Sequence, residues 1–205
     1  MKTTEKTLTT KGLSTRERIL QAARKHLVEG GYESFVMREL AGLLGIKLGN
    51  LQYYFKTREE LILQVIETEA AKDVLTIEQH KQEGKPANEA FRLIVQDLVT
   101  RWRGNSGVIF STLGTLALHN KSFQQLYQSI YTKFYSALEG SLQEMNPGLS
   151  DDEIAIRVRL ITALIDGSPM QIQVGSVQQY LERLQEQAEL IAFGIPPELR
   201  MRMKL

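Results

Sequence analysis

Apolar residues recur at intervals of three and four along almost the whole chain, and no stretch alternates apolar with polar residues as a half-buried strand would. The pattern predicts an all-α protein of about nine helices, with punctuation residues marking where each begins and ends. A Lys- and Thr-rich segment over residues 1–12 carries no such pattern and reads as a disordered tail. Ser14-x-x-Glu17 then forms a capping box, in which each side chain bonds the other residue's backbone N–H, and the helix it opens ends at Gly30-Gly31. A second box, Thr57-x-x-Glu60, opens a long helix carrying Leu61, Val65, Ile66, Leu75 and Ile77 towards Gly84. Pro86 suits the first turn of the next helix, whose apolar row of Phe91, Ile94, Val95, Leu98 and Trp102 stops at Gly104.

Beyond Asn105-Ser106-Gly107 a short apolar helix is expected from Val108 to about His119, and Ser122-x-x-Gln125 starts a longer one reaching Met145. Asn146-Pro147-Gly148 breaks the chain there. Ser150-x-x-Glu153 opens a helix through Ile154, Val158, Ile161 and Leu164 to Asp166-Gly167, where Ser168-Pro169 is expected to interrupt it. The last amphipathic helix starts near Ser176, carries Val177, Tyr180, Leu181, Leu184, Ala188 and Ile191, and stops at Gly194 and Pro196-Pro197.

The most informative stretch runs from Phe35 to Leu61, two short helices about a Gly-centred turn. Met37, Leu40, Ala41 and Leu44 give the first helix an apolar face, with Ala41 small where a second helix must approach closely. Gly45 suits a turn of positive φ, which other residues adopt with strain. Ile46, Leu51 and Phe55 continue the core side, leaving Lys47, Leu48, Asn50, Gln52, Tyr53, Tyr54 and Lys56 outside. Such a shape also serves as a plain packing unit. Amide, phenol and ammonium groups, however, are the types that reach phosphates and base edges, so the outward face points to a helix-turn-helix DNA reader.

With these residues in view, the N-terminal region resembles the tetracycline-repressor (TetR) family of bacterial transcriptional regulators. The likeness begins at Thr15-Arg16-Glu17-Arg18-Ile19-Leu20-x-Ala22-Ala23, continues through Gly30-Gly31-Tyr32 and Arg38-Glu39-Leu40-Ala41, and closes with Gly45-Ile46-x-x-Gly49-Asn50-Leu51-x-Tyr53-Tyr54-Phe55-Lys56-Thr57-Arg58-Glu59-Glu60-Leu61. Three positions depart from the usual pattern. Val36 stands where a capping Ser or Thr is common, Lys47-Leu48 replaces a frequent Ser-Lys pair, and Gln52 occupies a common Tyr position. The resemblance implies a DNA-binding domain over residues 13–60 and an effector-binding and dimerisation domain over 61–205. Lys47, Asn50, Gln52 and Tyr53, flanked by Leu48 and Gly49, are then expected in the groove, with Thr15, Arg38, Tyr54, Lys56 and Thr57 on phosphates.

Composition narrows the field further. The 205 residues are 42% hydrophobic and 24% charged, enough for a sizeable core, and the absence of cysteine excludes disulfides, thiolate metal sites and thiol nucleophiles. Residues 1–60 hold 11 Lys/Arg against 7 Asp/Glu, a balance of +4, and residues 61–205 hold 14 against 17, a balance of −3. The basic excess thus sits with the reader, as phosphate attraction requires. The N-terminus lacks a signal peptide's apolar core and no apolar run approaches the ~18 residues needed to span a bilayer, so a cytoplasmic protein without a membrane partner is expected. His26, His80 and His119 stand on separate helices without a third ligand nearby, and no nucleophile elbow or phosphate-binding Gly loop occurs. No enzyme activity, metal or cofactor is therefore expected.

Large apolar bodies with polar ends gather in the middle of the chain: Phe91, Trp102, Phe110, His119, Tyr127, Tyr131, Phe134 and Tyr135. They are core residues first, yet the mixture also lines small-molecule cavities, and the effector pocket is expected among them. The last two long helices are the expected dimer seam, through Val158, Ile161, Ile165, Tyr180, Leu181, Leu184 and Ala188. The competing reading is that those rows cover only the chain's own core. The whole reads as a homodimeric repressor of a palindromic operator on double-stranded DNA, released by a small-molecule effector. The alternatives are an activator of the same fold, or a ligand-binding helical module without operator binding.

Overall fold

The computed structural model describes residues 10–172 and 177–194, with side chains from Thr15 onward. Among them the helices follow one another as α1 (Thr10–Gly30), α2 (Met37–Leu43), α3 (Leu48–Tyr54), α4 (Arg58–Gln82), α5 (Ala87–Arg103), α6 (Asn105–Ala117), α7 (Lys121–Met145), α8 (Asp151–Gln171) and α9 (Val177–Phe193), with no strand. The chain divides into two compact units inside α4, after Thr68.

The first unit closes on Ile19, Ala23 and Leu27 of α1, Leu40 and Ala41 of α2, Leu51 of α3, and Leu61, Ile62 and Val65 of α4, all buried. Helix α1 starts at Thr10, so the expected tail ends sooner than residue 12 and Ser14 lies inside the helix instead of capping it. The preceding residues, 1–9, lie outside the described part. Thr57 does cap α4: its hydroxyl accepts from the Glu60 N–H at 3.1 Å, while the Glu60 carboxylate reaches the Lys56 N–H at 2.8 Å. Arg58 braces the same corner, donating to the Tyr32 carbonyl and lying 4.0 Å over the Tyr32 ring.

The second unit is organised about α5, whose row of Ala90, Phe91, Ile94, Val95, Leu98, Val99 and Trp102 is buried along its length. It packs against α6, α7, α8 and α9. Four sequence expectations need correction here. Leu75 is 55% exposed, because the inward positions of α4 in this unit are taken by Glu69, Ala70, Asp73 and Ile77. Helix α6 begins at Asn105, directly after Gly104. Helix α7 is capped by Asn120 and not by Ser122, since the Asn120 Oδ1 accepts from the N–H groups of Ser122 and Phe123 at 2.9 and 3.3 Å.

The fourth concerns α8, which runs through Pro169 to Gln171. A proline there withholds the N–H that would bond the Ile165 carbonyl. The Ser168 hydroxyl supplies the missing donor, reaching that carbonyl at 2.7 Å. Gly107 of α6 is the complementary feature: a Cβ on it would press on the Trp102 carbonyl and lie 3.0 Å from the Pro169 Cγ, so only glycine lets these segments meet.

Candidate functional site

The reader is built by burying one side of α3 and leaving the other bare. Leu51 is fully buried and Phe55, just after the helix, is 2% exposed, which fixes the rotation of α3 about its axis. Gly45 takes φ +66° in the turn, and the Ile46 N–H bonds the Ala41 carbonyl at 3.0 Å, closing α2 onto the start of α3. Lys47, Gly49, Asn50, Gln52, Tyr53, Lys56, Thr57 and Arg38 are exposed, while Thr15, Leu48 and Tyr54 are half-buried. Tyr53 and Tyr54 meet edge to face, ring centroids 5.3 Å apart. Arg16 buttresses the unit from α1, with a 2.8 Å hydrogen bond to Gln64 and its guanidinium 5.2 Å over the Phe55 ring. Leu43, at the end of α2, is 74% exposed on the surface of this motif. Its periodicity matches the apolar face of neither helix, which was the available signal.

Residues 19–65 match the family described as bacterial regulatory proteins, tetR family. This N-terminal region is a TetR-family DNA-binding domain. The chain is similar over 152 residues, at 24% identity, to the fatty acid metabolism regulator protein of Bacillus subtilis, covering 73% of this chain and 77% of that one. Over 60 residues it is 32% identical to the HTH-type transcriptional regulator QacR of Staphylococcus aureus, covering 29% of this chain and 32% of the other. Among solved structures, a TetR transcription regulator from Haloarcula marismortui superposes with a TM-score of 0.74 at 17% identity, over 88% of this chain and 97% of that one. With that domain and regulator-named relatives, the chain is a DNA-binding regulator and not an enzyme.

In the second unit the expected pocket residues divide. Trp102 stacks on Phe110, centroids 4.4 Å apart and 13° from parallel, and Tyr127 stacks on Tyr131 at 4.3 Å. Phe134 is buried beside Tyr135. Phe91, by contrast, is core: it is fully buried edge-on to Phe193 of α9 at 5.3 Å. His119 is exposed beyond the end of α6 and does not join the buried aromatics. No group of three His, Cys, Asp or Glu able to hold a metal occurs among the described residues. Nor, among them, is any helix long and apolar enough to cross a membrane.

What the aromatic pattern did not reveal is a buried polar cluster among these rings. Glu69 and Asp73 of α4 are 1% and 2% exposed. Arg101 donates to Asp73 at 2.7 Å and approaches Glu69 at 3.5 Å, Lys72 reaches Glu69 at 2.9 Å, and Ser106 donates to Glu69. The Trp102 indole N–H donates to Asp73 at 3.0 Å. Burial pushes the Asp73 carboxyl up, although Arg101 acts in the opposite direction. On α8 the Asp166 Oδ2 accepts from the Tyr131 hydroxyl at 2.7 Å, whereas its Oδ1 is buried with no hydrogen-bond partner among the described residues. Burial raises this carboxyl to about 6, the Tyr131 bond working against it and the charge of Asp73 adding to it. The Tyr131 hydroxyl is pushed up in turn, by burial and by Asp166. Carboxylates spaced at 69 and 73 on a helix read in sequence as a solvated face, which is why the cluster was missed.

The expected dimer residues mostly face the chain's own interior. Val158, Ile161, Ile165 and Ala188 are fully buried and Leu184 is 4% exposed, all within the core of the second unit. Leu181 and Leu184 also line a cavity of about 230 Å³ between α5 and α9, with Val95, Val99, Thr100 and Arg103 on the other wall. Tyr180 is half-buried against the same core. The apolar residues left outside lie elsewhere on α8: Ile156, Leu160 and Met170 are 55%, 51% and 68% exposed.

Proposed function

We propose that the chain is a homodimeric repressor whose two readers grip a palindromic operator and whose second unit binds a small-molecule effector that releases it. The observation that carries this reading is the outward face of α3, where Lys47, Asn50, Gln52 and Tyr53 stand exposed beside Arg38, Lys56 and Thr57. Amides there suit base edges, and cations and hydroxyls suit phosphates. The proposed seam is the outer row of α8, in which Ile156, Leu160, Ala163, Gly167 and Met170 follow steps of four and three residues. Apolar residues at that spacing form the seam of paired helices, and a two-fold protein matches a two-fold operator. The effector is assigned to the buried aromatics and carboxylates of the second unit, to which α4 contributes Glu69 and Asp73.

The test is direct. Double-stranded DNA from the promoter upstream of the chain's own gene is expected to be retarded in a salt-sensitive manner and protected over two half-sites about one helical turn apart or a multiple of that. Full binding to DNA carrying one half-site alone would remove the dimeric-operator reading. By linkage, an effector that lowers operator affinity must itself bind less tightly, by the same factor, when operator is present, typically ~5–150-fold.

A further inference from the structure

In the second unit, the charges of the buried cluster do not balance. Glu69 and Asp73 are answered by Arg101 and Lys72, two carboxylates against two cations. Asp166 has only a neutral phenol, Tyr131, and its fully buried Oδ1 receives no donor among the described residues. Buried acceptors are nearly always satisfied, so an orphaned carboxylate oxygen marks a place where a donor or cation is missing. Its surroundings favour one kind of occupant. The stacked Tyr127 and Tyr131 rings adjoin Tyr135, and the charge of Asp166 is felt at both Tyr131 and Tyr135. The charge of Asp73, which holds the Trp102 indole N–H, also reaches Asp166. Aromatic faces and a desolvated carboxylate together recognise an organic ammonium, through the ring quadrupole on one side and the counter-charge on the other.

We propose that Asp166, held by Tyr131 beside the Tyr127 and Tyr135 rings, is the counter-ion of a site for organic cations. The inference rests on the effector reading above only for its regulatory consequence, because cation binding can be measured without DNA. An inorganic ion is a poor occupant, since no three acidic or imidazole ligands converge there among the described residues. A simple anion would meet the buried carboxylate of Asp166, with Arg159 acting only at Tyr135.

The probe is benzyltrimethylammonium, compared with its uncharged carbon isostere neopentylbenzene and with phenylacetate, each titrated against the full chain by calorimetry and by the fluorescence of Trp102, the single tryptophan. Saturable binding of the cation, at least about tenfold tighter than either comparison compound, is expected. Asp166→Asn keeps an acceptor for the Tyr131 hydroxyl and removes only the charge. It is expected to weaken the cation about tenfold or more, leave neopentylbenzene unchanged, and retain the parent's helical circular dichroism. Equal affinity for cation and isostere, full cation affinity in Asp166→Asn, or no cation binding up to millimolar concentration would each overturn the site. A cation that binds through Asp166 yet leaves operator affinity untouched would support the site and remove the release mechanism. Operator release by the uncharged isostere, with the cation inert, would do the reverse.

Discussion

Asp166 carries a measurable energetic signature of its burial. Its carboxyl is raised from 3.8 to about 6 in the folded chain, so the folded state holds this proton more tightly than the unfolded state. The stability it contributes is complete below the unfolded value and is lost as pH climbs through about 6. Asp166→Asn removes that loss, and urea unfolding is expected to show the variant ~1–3 kcal/mol more stable than the parent near neutral pH, with the gap closing towards pH 4. A gap independent of pH would mean that the carboxyl is not shifted. At the reader, Val36 caps α2 without any side-chain hydrogen bond. Val36→Thr is expected to add ~1 kcal/mol by giving the first turn an acceptor, whereas Gly45→Ala should cost ~1–2 kcal/mol, because φ there is positive although the space is open. Lys56→Ala should flatten the salt dependence of operator binding by roughly one unit, and an unchanged slope would take that residue off the phosphates. Val36 and Gly45 were legible in sequence because caps and turns are decided within a few residues. Asp166 was legible only as the expected end of a helix, since its partner Tyr131 lies on another helix.

Helix α8 shows how a local rule is overridden by one neighbour. Pro169 reads as a break, yet the Ser168 hydroxyl satisfies the carbonyl that proline leaves bare, and the helix continues. Ser168→Ala is expected to cost ~1–3 kcal/mol by stranding the Ile165 carbonyl, and adding Pro169→Ala should recover much of it by restoring a backbone donor. Chemical denaturation of the two variants separates the explanations: equal losses in both would mean that Ser168 acts through packing alone. Gly107→Ala tests the opposite face of the same contact, where a methyl group would press on a backbone carbonyl and on Pro169, and a loss of ~2 kcal/mol or more is expected. Most helix bounds were legible because glycine, proline and apolar rows mark them independently of context. Which apolar row of α8 faces inward was not, since both rows look alike in sequence and only packing against α5 and α9 distinguishes Val158 from Ile156.

For the whole molecule, that distinction decides the test of assembly. Leu160→Glu alters an exposed position and should leave the fold intact while producing monomers by equilibrium sedimentation, with operator affinity falling in step. Leu184→Glu instead buries an unpaired carboxylate in the core and should unfold the second unit. A Leu160→Glu protein that remains a dimer would put the seam elsewhere. The buried ion pairs of α4 and α5 also constrain how this chain can change over generations. Losing Arg101 alone leaves the buried Asp73 and Glu69 carboxylates short of a counter-charge at a cost of several kcal/mol, so those positions are tied to one another and drift only by paired replacement. Asp166 is bound by no such partnership and can be exchanged in a single step. Within one lineage the chemistry selected by this pocket is therefore expected to turn over at Asp166 first, while the charged scaffold beneath it stays fixed.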